Sequence, residues 1–146
     1  MKKVLILLLI LLSISDMFSK ETYTIIDYSY RSSKVENYIY KLNWSVPIKI
    51  DSSYTIDIDN VSKTIIVHCD IEDVFNYGVL VKDSVYEKYK TKASDDVGNI
   101  IDIIIYKYSK DEARMELYYS FDTMMNQSGF IVKYNLRRKN GTNCKN

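Results

Sequence analysis

The stretch YTIDIDNVSKTIIVHCDI, residues 54–71, decides the fold class. In its first half Tyr54, Ile56 and Ile58 alternate with Thr55, Asp57 and Asp59. Successive side chains of an extended strand point to opposite faces, so this period of two predicts a half-buried β-strand. In the second half Ile65, Val67, Cys69 and Ile71 share one face, while Ile66, His68 and Asp70 share the other. Asn60 to Lys63 supplies the polar link of a hairpin between the two. His68 is the only histidine, and a strand turns it away from its neighbour Cys69. A metal site or nucleophile pair built from both within this strand is thereby excluded.

The same period recurs along the chain. RMELYYSF (114–121) places Met115, Leu117, Tyr119 and Phe121 inward, and FIVKYNLRR (130–138) does the same with Phe130, Val132, Tyr134 and Leu136. TIIDYSYR (24–31) offers Thr24, Ile26, Tyr28 and Tyr30 on one face. NIIDIIIYKY (99–108) is apolar on both faces, as expected of a central strand covered on each side. SKDEA (109–113) reads as a hairpin link, DTMMNQSG (122–129) as a longer loop, and TKASDDVG (91–98) as a loop dividing the chain into halves. Pro47, the single proline, suits a sheet edge or a strand start. Ser33 to Glu36 has the form of a capping box, followed by Val35, Tyr38, Ile39 and Leu42 at helical spacing, which suits one short helix near residues 33–42, while the same residues also read as a strand rich in tyrosine and isoleucine. The expected product is mainly β: a single antiparallel meander of about eight strands forming a small barrel or sandwich, with sequential hairpins favouring the barrel.

The first residues predict export. Lys2 and Lys3 precede an apolar run from Val4 to Ile14 broken only by Ser13, and small residues follow at Ser15 and Ser19. A run this short, ended by Asp16, does not span a hydrocarbon core about 30 Å thick as a helix. It has the form of a cleaved secretory signal. The expected division is a signal peptide over 1–19, with cleavage after Ser15 as the alternative, a β-rich domain over 20–138 and a basic polar tail over 139–146. The protein is then periplasmic or extracellular. Removing Lys2, Lys3 and Asp16 with the signal leaves equal numbers of acidic and basic residues, which excludes a nucleic-acid binder driven by bulk charge. No second apolar run of membrane length follows. Cys69 and Cys144 are the only cysteines, and in an oxidising compartment they are candidates for one disulfide, worth about 4 kcal/mol in the chain-entropy model. Two unpaired thiols are the alternative.

Signals for catalysis and cofactors are missing. One histidine and two distant cysteines do not supply the ligands of a zinc site. The acidic pairs Asp57/Asp59, Asp95/Asp96 and Asp111/Glu112 do not sit in a calcium-loop pattern. There is no G-x-S-x-G, and the four glycines, 78, 98, 129 and 141, form no phosphate-binding loop. The chain is expected to be non-enzymatic, without cofactor, metal or catalytic residue.

Fourteen tyrosines remain to be explained. Tyrosine is a good strand former, and AT-rich coding enriches it together with Ile, Lys and Asn. In a small barrel, inward Tyr28, Tyr30, Tyr54, Tyr119 and Tyr134 would line a pocket for a small apolar ligand, and would serve equally to fill a core. This arrangement is similar in outline to the lipocalins, whose C-terminal tail is often tied to a strand by a disulfide, which the resemblance implies for Cys144 and Cys69. The likeness is one of architecture alone, because the Gly-x-Trp signature is absent and Trp44 follows Leu42 and Asn43. The other reading is a sandwich acting as an interaction module of the cell envelope or surface, with outward Tyr106, Tyr108 and Tyr118 meeting a protein or sugar partner. A packed interior would favour the second reading, and a cavity of some hundreds of Å³ the first.

Overall fold

The structure is a computed structural model that describes residues 20–34, 44–50, 53–83, 87–123 and 126–139. Among these there is no helix; ten strands follow one another along the chain. They are β1 (Lys20–Lys34), β2 (Ile48–Lys49), β3 (Thr55–Asp59), β4 (Thr64–His68) and β5 (Glu72–Tyr77), then β6 (Val81–Lys82), β7 (Lys88–Ser94), β8 (Ile100–Lys107), β9 (Glu112–Thr123) and β10 (Asn126–Arg138). Every pairing is antiparallel, in the order β10-β9-β8-β7-β5-β4-β3-β1, and β10 pairs again with β1 to close the sheet. The result is an eight-stranded barrel, which decides between the barrel and the sandwich. Short β2 adds to the outer part of β1, and β6 continues the line of β5 beside β7.

Alternation places the core as the sequence predicts in β3, β4, β9 and β10. Ile56, Ile58, Ile65, Val67, Met115, Leu117 and Leu136 are buried inside the barrel, joined by Phe75, Ile101, Ile103 and Ile105. Outward positions carry charge: Lys92 meets Asp102 at 2.8 Å, and Asn135 donates to Asp27 at 2.7 Å. On β8, Ile100 and Asp102 are exposed, so this strand is covered on its inner side alone.

Four expectations need correction. β1 changes phase: its register against β10 slips between Ile25 and Asp27, making Ile26 a bulge. Tyr23 and Ile25 face inward before it, and Tyr28 and Tyr30 face inward after it, so Thr24 and Ile26 do not belong to the inward set. Ser33, the expected helix cap, lies in β1 opposite Gly129, and Val35 to Leu42 fall outside the described residues. The segment 91–98 is half strand, since β7 runs to Ser94 before a turn around Gly98 (φ 94°). The expected loop 122–129 is largely strand too: Asp122 and Thr123 end β9, Asn126 to Gly129 begin β10, and Gln127 pairs with Asp122. In addition β4 stops at His68, leaving Ile71 in the turn to β5 with 78% exposure.

One end of the barrel carries a cluster of polar groups. Lys107 at the end of β8 donates to Glu21 of β1 at 2.8 Å, Arg138 approaches the same carboxylate at 3.7 Å, and Tyr23 donates its hydroxyl to it at 3.0 Å. Burial alone would raise the Glu21 carboxyl, but the hydrogen bond and charge of Lys107, with Tyr23 and Arg138, hold it below the ordinary 4.5. On the outer face, Asp57 receives Lys20 at 2.9 Å, the Thr22 hydroxyl at 2.7 Å and His68 at 3.1 Å. Partial burial opposes ionisation there as well, and these partners outweigh it, so Asp57 also titrates below its ordinary 3.8.

Two outcomes follow for stability. Ile103→Ala removes a fully buried side chain and is expected to cost about 2–5 kcal/mol in equilibrium urea unfolding, whereas Ile100→Ala changes stability by no more than about 0.5 kcal/mol. Both carboxyls titrate lower folded than unfolded, so their stabilisation is complete above the ordinary 4.5 and 3.8 and drains as pH falls through the folded values. The urea midpoint should therefore decline below that range, and Glu21→Gln should start lower at neutral pH and show a shallower acid decline.

Candidate functional site: an aromatic pocket at one mouth of the barrel

Strand lengths make the two ends unlike. β1, β9 and β10 have 15, 12 and 13 residues, while β3 and β4 have 5 each. At about 3.3 Å per residue, β10 runs about 43 Å against about 17 Å for β3, so a tall wall overhangs a short one. The inward residues of the tall wall beyond the packed core are Tyr28 and Tyr30 of β1 and Phe130, Val132 and Tyr134 of β10. The bulge at Ile26 aims the two tyrosines of β1 into the barrel. Facing them are Ile50 after β2, Tyr54 before β3 and Cys69 after β4. Together these side chains surround a pocket of about 510 Å³, within the usual range for a small-molecule site.

The wall is built from paired rings. Tyr119 of β9 stacks on Phe130 with centroids 4.5 Å apart and planes 7° from parallel. Tyr28 and Tyr134 lie 6.4 Å apart at 41°. Of the five tyrosines singled out in the sequence, Tyr28, Tyr30, Tyr54 and Tyr134 line the pocket, and Tyr119 stands behind Phe130. Phe130 and Val132 share the alternation of Tyr134 and were legible by the same rule. Ile50 was not, because its position depends on the path of the chain from β2 to β3. Cys69 enters the lining with a free thiol, and its expected disulfide partner Cys144 lies outside the described residues.

Among the described residues the lining is uncharged, and the acids nearby act on it from the rim. By register Asp73 faces inward opposite Val67, at the open end of β5. The Cys69 thiol is pushed above its ordinary value first by burial, then by Asp73 and Asp70. Burial also raises Tyr119, to about 12, with Asp73 and Asp95 adding to the shift, and it raises Tyr134 further still. At neutral pH these groups are protonated: weak hydrogen-bonding tips on an apolar surface.

The remaining candidates lie on the outer face. His68 bonds Asp57 through Nε2 and Glu72 through Nδ1 at 2.9 Å, on the side opposite Cys69. Among the described residues no group of His, Cys, Asp and Glu converges on a metal-sized site. Tyr106 and Tyr108 flank the Arg114 guanidinium, 4.3 and 5.7 Å from its carbon, and Tyr118 donates to Glu116 at 2.6 Å. Glu116 is 5% exposed and also meets Arg114 at 3.2 Å. These outward tyrosines are thus engaged by charges of the barrel itself.

For reduced protein, the raised thiol predicts that Cys69 alkylates at neutral pH more slowly than a small-molecule thiol, with a rate that climbs into the alkaline range, as peptide-level mass spectrometry will read. Rapid neutral modification would contradict the burial described. No protein-family model, curated protein or solved structure matches the chain.

Proposed function

We propose that this is an exported, non-enzymatic binding protein that holds a small, largely apolar ligand in the aromatic mouth of its barrel. The observation that carries the reading is the 510 Å³ pocket, apolar and walled by rings; a second pocket, of about 410 Å³ at the other end, has the charged Glu21, Lys63 and Lys107 in its lining. Tyrosine hydroxyls at its surface would orient a ligand through one or two hydrogen bonds, while Ile50, Val132 and Phe130 supply apolar contact. The raised thiol and phenols are poor nucleophiles and bases at neutral pH, which favours binding over catalysis. Outward Lys92, Asp102, Arg114 and Asp27 suit a barrel standing in water, since charges on a lipid-facing surface are costly. The signal-like sequence of residues 1–19 supports a setting in the periplasm or outside the cell.

The neutral dye N-phenyl-1-naphthylamine is the probe of choice. It is expected to gain fluorescence with this protein in a saturable, one-to-one titration, and Val132→Trp, which fills the pocket from its tall wall, is expected to abolish the gain while leaving the unfolding midpoint within about 1.5 kcal/mol of the parent. Dye binding unaffected by the filled pocket would place the apolar surface elsewhere and remove this reading. Export is tested by the intact mass of the protein recovered from its native compartment: a chain beginning at Lys20 supports it, and an unprocessed chain overturns it.

A further inference from the structure

The charge around the pocket is one-sided. Among the described residues, no lysine or arginine lines it. Asp73 faces inward at its rim, Asp70 lies in the adjoining turn after Cys69, and Asp95 and Asp96 sit in the β7–β8 turn close enough to act on Asp73. Asp95 is fixed as an anion by neutral donors, the backbone amides of Val97 at 3.1 Å and Asn99 at 2.7 Å and the Asn99 side chain at 2.8 Å. Meanwhile several of the described cations are committed elsewhere. Lys107 and Arg138 meet on Glu21 at the opposite end, Lys92 pairs with Asp102, and Lys20 with Asp57. Arg31 and Lys133 lie over the two sides of the outward Trp44, 4.5 and 4.3 Å from its ring centre.

We propose that the pocket selects an organic cation, an amine or quaternary ammonium carried on an apolar body, over a fatty acid or any other amphiphilic anion; this rests on the ligand-binding reading above. Two independent features agree on it. Tyrosine and phenylalanine rings present negative faces that attract a soft cation, most strongly where water is excluded. The aspartates then add a long-range field of the same sign at the rim of the lining. An anion would meet both features as repulsion and would find no guanidinium or ammonium among the described lining side chains to receive it. The potential is already visible in the protein's own groups: after burial, the carboxylates of Asp96 and Asp95 are what raise Asp73, and Asp73 in turn contributes to raising Cys69.

The test displaces bound N-phenyl-1-naphthylamine with three amphiphiles of equal chain length, dodecyltrimethylammonium, dodecanol and dodecanoate, each below its micelle concentration. The cation is expected to compete about tenfold more tightly than the alcohol, and the anion more weakly than either. Asp73→Asn, an exposed rim substitution, is expected to weaken the cation about threefold and leave dodecanol unchanged. Dodecanoate competing as well as the cation, or Asp73→Asn moving all three ligands alike, would overturn charge selection while leaving the pocket as a binding site. A dye that does not bind the parent protein at all would remove the binding reading, and this inference with it.

Discussion

Everything in this barrel depends on the seam between β1 and β10. The two strands pair along almost their whole length, from Tyr23 opposite Arg138 to Lys34 opposite Ser128, although the whole domain lies between them in sequence. Without that ladder a meander of hairpins would leave two long edges of unpaired amides and carbonyls, which invite association with other chains. The seam also makes the fold non-local, because contacts between the first and last strands form only after the intervening chain is in place. Polar pairs reinforce it from both faces: Arg138 reaches Glu21 inside, and Asn135 donates to Asp27 outside.

The bulge at Ile26 reconciles two demands that the seam places on β1. Along one edge the strand follows β10 throughout; along the other it pairs first with β3 and then with the segment around β2, where Ser45 and Tyr30 exchange two hydrogen bonds. An extra residue bends the strand where its second partner changes, and it shifts the inward phase from odd to even positions. Without that shift Tyr28 and Tyr30 would point outward and Asp27 and Ser29 inward. The pocket therefore exists because of one unpaired residue in a strand that belongs to the seam.

Legibility in the sequence followed burial. Where one face is packed and the other wet, as in residues 55–59, 64–68 and 114–119, the period of two was plain and the inward set could be read directly. β7 escaped because beyond Tyr89 its inward residues, Thr91 and Ala93, are small or polar and give no apolar rhythm, while Lys88, Lys90 and Lys92 dominate the impression of a loop. Asp122 and Asn126 to Ser128 escaped for a related reason: they are polar, and they are strand because pairing between β9 and β10 continues past the packed core. The bulge left no compositional mark. Four pocket tyrosines were recoverable by alternation, two of them through a face that was right after the bulge and wrong before it. The acids at the mouth were not grouped in advance, because residues 91–98 read as a loop and β7, which carries its following turn to the same end as the turn after β4, went unrecognised.

The gradient along the barrel axis explains why the mouth stays open. On β9 the inward residues run Ala113, Met115, Leu117, Tyr119, and on β10 from the same level they run Leu136, Tyr134, Val132, Phe130. Aliphatic chains interdigitate across a narrow barrel and fill it, as the isoleucines of β3, β4 and β8 do here. Rings are rigid plates that stack against their neighbours on the wall, as Tyr119 does on Phe130, instead of reaching into the gaps opposite. A hydroxyl tip adds a second constraint, since burying it without a partner costs more than a hydrogen bond returns. A ring of tyrosines therefore resists collapse in a way that leucines in the same positions would not. The rings at this mouth and the cavity between them have, on this argument, one physical cause.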